Sequence, residues 1–113
     1  MKDFLFVYRM DYGKTAQRSP EEMEANTKRW MDWIGGIAAQ NKLTDRGNRL
    51  NNGGKVLKPN GLVTDGPYTE TKESLGGYSI IKSKSLEEAV EIAGGCPVFL
   101  LGGSVEVREI SVM

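Results

Sequence analysis

Five consecutive residues near the start of the chain, Phe4-Leu5-Phe6-Val7-Tyr8, are aromatic, aliphatic or β-branched with no polar position among them. A strand with one wet face alternates, so this run predicts a strand covered on both faces and central in its sheet. The polar stretch from Asp11 to Arg18, with Gly13 inside it, reads as a loop leading to Ser19-Pro20-Glu21-Glu22. There Ser19 suits an N-cap, Pro20 the first helical position and Glu22 the capping-box partner, while both acids complement the positive end of the dipole. Met23, Thr27, Trp30, Ile34, Ile37 and Ala38 then recur at helical spacing opposite Glu24, Lys28, Asp32 and Gln40, which predicts an apolar stripe facing the sheet with Trp33 at its side. Gly35-Gly36 inside this helix costs about 1 kcal/mol per residue relative to Ala, which predicts close backbone packing or a local bend.

Leu43 to Leu50 is too polar for a central strand, and Asn51-Asn52-Gly53-Gly54 between it and Val56-Leu57 predicts a hairpin of two short strands joined at that turn. Pro59-Asn60-Gly61 breaks the second of them. Tyr78 to Lys82 reads as a strand, and Ser85-Leu86-Glu87-Glu88 repeats the capping pattern before a helix whose buried face is Leu86, Ala89, Val90 and Ala93, stopped by Gly94-Gly95. Val105-Glu106-Val107-Arg108 alternates apolar and charged as the last strand, and its phase slips at Glu109-Ile110, which predicts a bulge or bend there. The resulting order is the α+β, ferredoxin-like split βαβ arrangement with an enlarged middle connection: one antiparallel sheet with two helices on one face, in a single domain spanning residues 1–113. Its other face needs a cover, because a first strand apolar on both sides is costly to expose to water.

Charge and composition narrow the partners. Fifteen basic and fifteen acidic side chains give a formal net charge of zero, and no basic tract is present to neutralise several phosphates, so direct nucleic-acid binding is not expected. The longest mostly apolar stretch, Ile34 to Ala39, is far short of the roughly 20 residues that span a bilayer, and the start of the chain lacks a signal-peptide core. No membrane association and a cytoplasmic location are the expectations. The single cysteine, Cys96, can form no internal disulfide and beside Pro97 reads as a small buried hydrophobe. The chain contains no histidine, which excludes Ser-His-Asp and Cys-His catalysis and His-ligated zinc and leaves carboxylates, Lys and Tyr for acid-base work. No metal and no cofactor are expected, since the acids near Asp65 are interleaved with Lys72 and make a poor all-oxygen site.

The stretch from Val63 to Gly77, V-T-D-G-P-Y-T-E-T-K-E-S-L-G-G, carries the chemistry. Asp65-Gly66-Pro67 is turn chemistry, and Tyr68, Glu70, Lys72 and Glu73 crowd polar and ionisable groups behind it. Together with Leu75-Gly76-Gly77-Tyr78 and the closing Val105-Glu106-Val107-Arg108, these residues resemble the DGPF-domain family within the YCII-related group over nearly the whole chain. The resemblance implies a dimeric α+β barrel in which two ferredoxin-like subunits pack their open sheet faces together. Tyr68 stands where the family's signature has Phe, and Glu109 where many relatives have Pro. A His-Asp pair proposed as catalytic in the wider group has no counterpart for its His here, and the link of family members to transcription initiation finds no support in this chain's charge or motifs.

Three functions fit this pattern. One is a small-molecule enzyme or binding protein with its pocket between sheet and helices near the D-G-P-Y segment, with Lys72, Glu73 and Asp65 as candidate catalytic groups and Tyr68, Glu70 and Arg108 as binding groups. A Lys beside carboxylates can hold a carboxylate or carbonyl substrate, and a desolvated acid can serve as a base. The second is a non-catalytic regulatory or protein-interaction module, possible links to transcription included. The third is a purely architectural role for the segment. The expected partners are a second copy of the chain and a small-molecule ligand. Light scattering at micromolar concentration is predicted to give twice the 12.5 kDa chain mass; a single-chain mass that persists on dilution, with no binding of a hydrophobic dye, would rule the barrel out.

Overall fold

The computed structural model describes residues 1–10, 18–51, 53–66 and 74–112. Among them are β1 (Lys2–Met10), α1 (Pro20–Ala39), β2 (Leu43–Asp45), β3 (Gly54–Leu57), β4 (Val63–Gly66), β5 (Ser74–Ser83), α2 (Leu86–Ala93) and β6 (Ser104–Glu109). The main sheet runs β2-β5-β1-β6 with every pairing antiparallel, and β3-β4 forms a separate two-stranded sheet. With that hairpin set aside as an insertion between β2 and β5, the order is the ferredoxin-like one, and the fold class is α+β.

The apolar run of β1 occupies an inner position, between β5 and β6. Strand alternation sends Phe4, Phe6 and Tyr8 toward the helices, opposite Ile81, Ser79 and Gly77 of β5, and all three rings are buried. With Ile37, Ala89, Ala93, Cys96 and Val98 they form the core, edged by Trp30, Trp33, Ile92, Val105 and Val107. Leu5 and Val7 point the other way, opposite Ile80 and Tyr78, and are only half-buried in the single chain. Arg9, Lys82, Glu106 and Arg108 share the register of this open face, so its apolar centre is framed by charge.

α1 begins where its capping signal stands: Ser19 Oγ accepts the Glu22 backbone N–H at 3.2 Å, with Pro20 in the first turn. The Glu22 carboxylate lies 3.7 Å from the Arg18 guanidinium. Beyond Ala39 the chain turns at Asn41 in left-handed conformation (φ 62°), and Lys42 N–H donates to Ile37 C=O to close the last turn. The buried stripe differs from the periodic reading. Thr27 and Ala38 are exposed, and Asn26 is buried in their place. Trp33, which the pattern sets at the side, stacks on Phe6 at 6.2 Å and donates from Nε1 to Ile92 C=O at 3.3 Å. A count of apolar residues passes over Asn26, and so rotates the stripe away from the true line through positions 23, 26, 30, 33 and 37. α2 shows the same kind of error: Ser85 caps it as expected, at 3.1 Å to Glu88 N–H, and Ala89 and Ala93 are buried, but Leu86 and Val90 are about half exposed.

Three further expectations are corrected by the backbone. The middle hairpin turns at Pro59–Gly61 and not at Asn51 to Gly54, so Leu43–Asp45 joins the main sheet while Val56-Leu57 pairs with Val63-Thr64. The reason is local: Asn60 (φ 69°) and Gly61 (φ 74°) accept the left-handed conformation after Pro59, and Lys58 N–H closes the turn on Leu62 C=O at 2.6 Å. Asp65 and Gly66 lie in the β4 ladder opposite Lys55 and Gly54, so the predicted turn does not begin at Asp65, and its Pro67 lies outside the described residues. The bulge falls in the β1-β5 pairing, where Tyr8 faces Gly77 and Arg9 faces Leu75, leaving Gly76 as the extra residue, while β6 stays in unbroken register through Glu109.

Gly35 and Gly36 meet neither expectation, since α1 runs through them and a Cβ built at either contacts nothing within 4 Å. Their cost is therefore conformational entropy with no packing return. Gly35→Ala and Gly36→Ala are each predicted to raise stability by about 0.5–1 kcal/mol in urea unfolding; a loss would mean that these positions touch something beyond the single chain.

Candidate functional site

Residues 46–50, the polar continuation of β2, run alongside β5. Ser79 Oγ donates to Arg46 C=O at 2.7 Å, Tyr78 N–H to Asn48 C=O at 3.3 Å, Leu50 N–H to Gly76 C=O at 2.9 Å, and Arg49 bridges to Gly77. Asp45 Oδ1 accepts Gly47 N–H at 2.7 Å and sets the turn into the segment. The approach is close enough to dictate glycine at two positions. Gly47 has φ 74° and a Cβ there would overlap the Tyr78 carbonyl oxygen, while a Cβ on Gly77 would come within 2.9 Å of Asn48 C=O.

Between this segment, the helix-facing side of β1 and β5, and the N-terminal half of α1 lies a cavity of about 370 Å³, toward the lower end of the ~300–1,000 Å³ usual for small-molecule sites. Its walls include Tyr8 and Met10 from β1, Met23, Asn26 and Trp30 from α1, and Ser79 from β5, with Arg46 and Arg49 on the segment side. Trp30 meets Tyr8 edge to face at 4.7 Å. Trp33 stands on the far side of Trp30, 5.8 Å away, and packs into the core.

Two oxygens of the lining residues are buried without a hydrogen-bond partner, Tyr8 Oη and Asn26 Oδ1, in side chains that are 5 % and 7 % exposed. An unmet buried polar atom costs about 1–3 kcal/mol. Burial pushes the Tyr8 phenol well above its ordinary pKa, and the neighbouring Ser79 hydroxyl, which opposes this weakly, does not reach hydrogen-bond geometry with it. Ser79 commits its own proton to Arg46 C=O. Tyr8 thus stays protonated, a hydrogen-bond donor and not a base. Cys96 is buried in the core, and desolvation pushes its thiol up to about 12, which makes it inert as a nucleophile. Among the described residues no three His, Cys, Asp or Glu side chains converge as a metal site, and no helix is long and apolar enough to cross a membrane.

Of the residues singled out from sequence, Tyr68, Glu70, Lys72 and Glu73 lie outside the described residues, and Asp65 is described only by its backbone in β4. Arg108 pairs across the ladder with Leu5, on the face away from the helices, and its Nη1 lies 3.2 Å from Glu106 Oε2. That contact, with help from Arg9, holds the Glu106 carboxyl below the usual range. Gly76 and Gly77, the end of the D-G-P-Y stretch, do line the cavity. Sequence reasoning missed Tyr8, Asn26, Trp30, Arg46 and Arg49. The available signal was Asn26, an amide three residues after Met23 and four before Trp30 on the face that meets the sheet.

The profile of the YCII-related domain family matches residues 5–113. Among solved structures, the chain is similar to 5-chloro-2-hydroxyhydroquinone dehydrochlorinase from Burkholderia phenoliruptrix in complex with 2,5-dihydroxybenzoquinone, at 18% identity and a TM-score of 0.49, covering 97% of this chain and 95% of that one. No curated protein matches it.

Gly47→Ala is predicted to lower stability by more than about 2 kcal/mol, because left-handed backbone strain adds to the overlap with β5. Amide hydrogen exchange should quicken at Tyr78 and Leu50, whose N–H groups bond across the junction, before it quickens at Phe6 in the core. Unchanged exchange there would mean that the segment is not held by this contact.

Proposed function

We propose that this chain, which belongs to the YCII-related domain family, binds a small organic molecule in the cavity beneath α1, as an enzyme or as a binding protein. The observation that carries this reading is the pair of buried, unpartnered oxygens, Tyr8 Oη and Asn26 Oδ1, in the lining of a cavity of ligand size. A core selected for stability alone would replace both with apolar groups. A ligand that takes a hydrogen bond from Tyr8 and gives one to Asn26 offsets their burial.

The Asp65-Gly66-Pro67-Tyr68 signature supports the DGPF branch of the family, and the acid-base groups are assigned to Lys72, Glu73 and Asp65, with Tyr68 and Glu70 as binding groups. A second copy of the chain covers the open sheet face over Leu5, Val7 and Ile80, whose half-buried state and charged frame suit a partner with the same surface. A cytoplasmic location goes with this reading. A regulatory, protein-interaction role is the second reading, favoured by the exposure of Leu57, Leu62 and Val63 (72%, 57% and 52%) around the β3-β4 hairpin.

Tyr8→Phe separates function from stability. It is predicted to leave the fold intact, to raise stability by up to about 1 kcal/mol through removal of the unpaired hydroxyl, and to weaken the thermal shift produced by any ligand found in a metabolite screen. Lys72→Ala and Glu73→Gln should spare the melting temperature of the unliganded protein and reduce the same shift. If Tyr8→Phe destabilises the protein and no metabolite shifts the parent, the cavity is a packing defect and the reading is wrong.

A further inference from the structure

Resting on the cavity as a ligand site, we infer that its ligand is a small carboxylate, with its charge held at the mouth by Arg46 and Arg49 and its body lying against Tyr8 and Trp30. The chain as a whole is electrically balanced, with fifteen bases and fifteen acids. The cavity is not: among the described residues its lining includes two arginines and no aspartate or glutamate. Elsewhere cations are matched locally, as in Lys42 with Glu88 at 3.1 Å and Arg9 with Glu106 at 3.3 Å. Among the described residues neither Arg46 nor Arg49 has an ion-pair partner, and both side chains are exposed.

The backbone beneath them is fixed. Arg46 C=O accepts a hydrogen bond from the Ser79 hydroxyl, Arg49 is bridged to Gly77, and Gly47 between them admits no side chain. Two guanidinium groups on long stems are thus rooted three residues apart at the rim of a cavity. A planar guanidinium forms two parallel hydrogen bonds to a carboxylate, a geometry an ammonium cannot supply. Inside, the unpaired Tyr8 Oη and Asn26 Oδ1 offer one donor and one acceptor to the far end of the molecule. The apolar contribution of Trp30, Met10 and Met23 sets the body as hydrocarbon or aromatic. The class is therefore a compact carboxylic acid with a polar group at the opposite end, of which a hydroxybenzoate is a workable probe.

The test uses the full-length chain and matched probes, 4-hydroxybenzoate against 4-hydroxybenzamide and benzoate against benzamide, followed through the two tryptophan indole N–H resonances. Trp30 lines the cavity, whereas the Trp33 indole is bonded to Ile92 C=O in the core. The acids should shift the Trp30 signal and leave Trp33 in place, bind at least about tenfold tighter than their amides, and weaken as salt is added. Arg46→Gln and Arg49→Gln should each cost the acids about five- to tenfold and leave the amides unaffected, with unchanged melting temperatures. Amides that bind as tightly as acids, or acids indifferent to both substitutions, overturn the carboxylate assignment and leave the cavity reading standing. If no probe of either kind moves Trp30, the cavity reading itself falls, and the assignment with it.

Discussion

The contact on which the rest depends is the interlock of α1 with β1 through four rings. Phe6 and Trp33 stack at 6.2 Å with an interplanar angle of 15°, and Tyr8 takes Trp30 edge-on at 4.7 Å. Each pair joins the helix to the strand, and the two tryptophans meet each other at 82°. Rings this large hold helix and sheet apart by their own thickness. Where small core residues fill in behind them, around Ala89, Ala93 and Val98, the space closes. Past Tyr8, toward Met10 and the Gly76-Gly77 end of β5, nothing of comparable bulk follows among the described residues, and the gap between them is the cavity. The same aromatic contacts that stabilise the fold, each by about 0.5–1.5 kcal/mol beyond their buried area, therefore also create the site.

Much of the architecture was legible because it is written in local chemistry. Ser19-Pro20-Glu21-Glu22 and Ser85-Leu86-Glu87-Glu88 mark helix starts that depend on a side chain three residues from the N–H it caps. The five-residue run of β1 identifies an inner strand, and the alternation of Val105 to Arg108 marks the last one. From these the strand-helix order and the ferredoxin-like arrangement follow.

The errors share a cause. Asn51 to Gly54 and Pro59 to Gly61 are both good turns on paper, and the choice between them is made by which strands find partners: Leu43 pairs with Ile81 of β5, and Val56-Leu57 with Val63-Thr64. Trp33 was set aside because an apolar periodicity cannot register a buried amide such as Asn26. The cavity was harder still to foresee. Tyr8 and Asn26 read as one strand residue and one helix residue, and only the packing of α1 over β1 brings both into the same wall. Arg46 and Arg49 sit in a stretch with no regular pattern at all, and their position is owed to Gly47 and Gly77, two residues whose contribution is the absence of a side chain.

The bulge at Gly76 has a mechanical meaning for the chain on either side of it. Upstream, Leu75 is in step with Arg9; downstream, Gly77, Ser79 and Ile81 are in step with Tyr8, Phe6 and Phe4, and one glycine without a register partner in β1 stands between the two frames. An expansion joint in a rail does the same work. A residue gained or lost in the connection leading into β5 can be taken up at that joint, where no side chain has to change faces, and the core register of Ser79 and Ile81 does not move. The frame in which Leu75 meets Arg9 is thereby uncoupled from the one that seats Ser79 and Ile81 in the core.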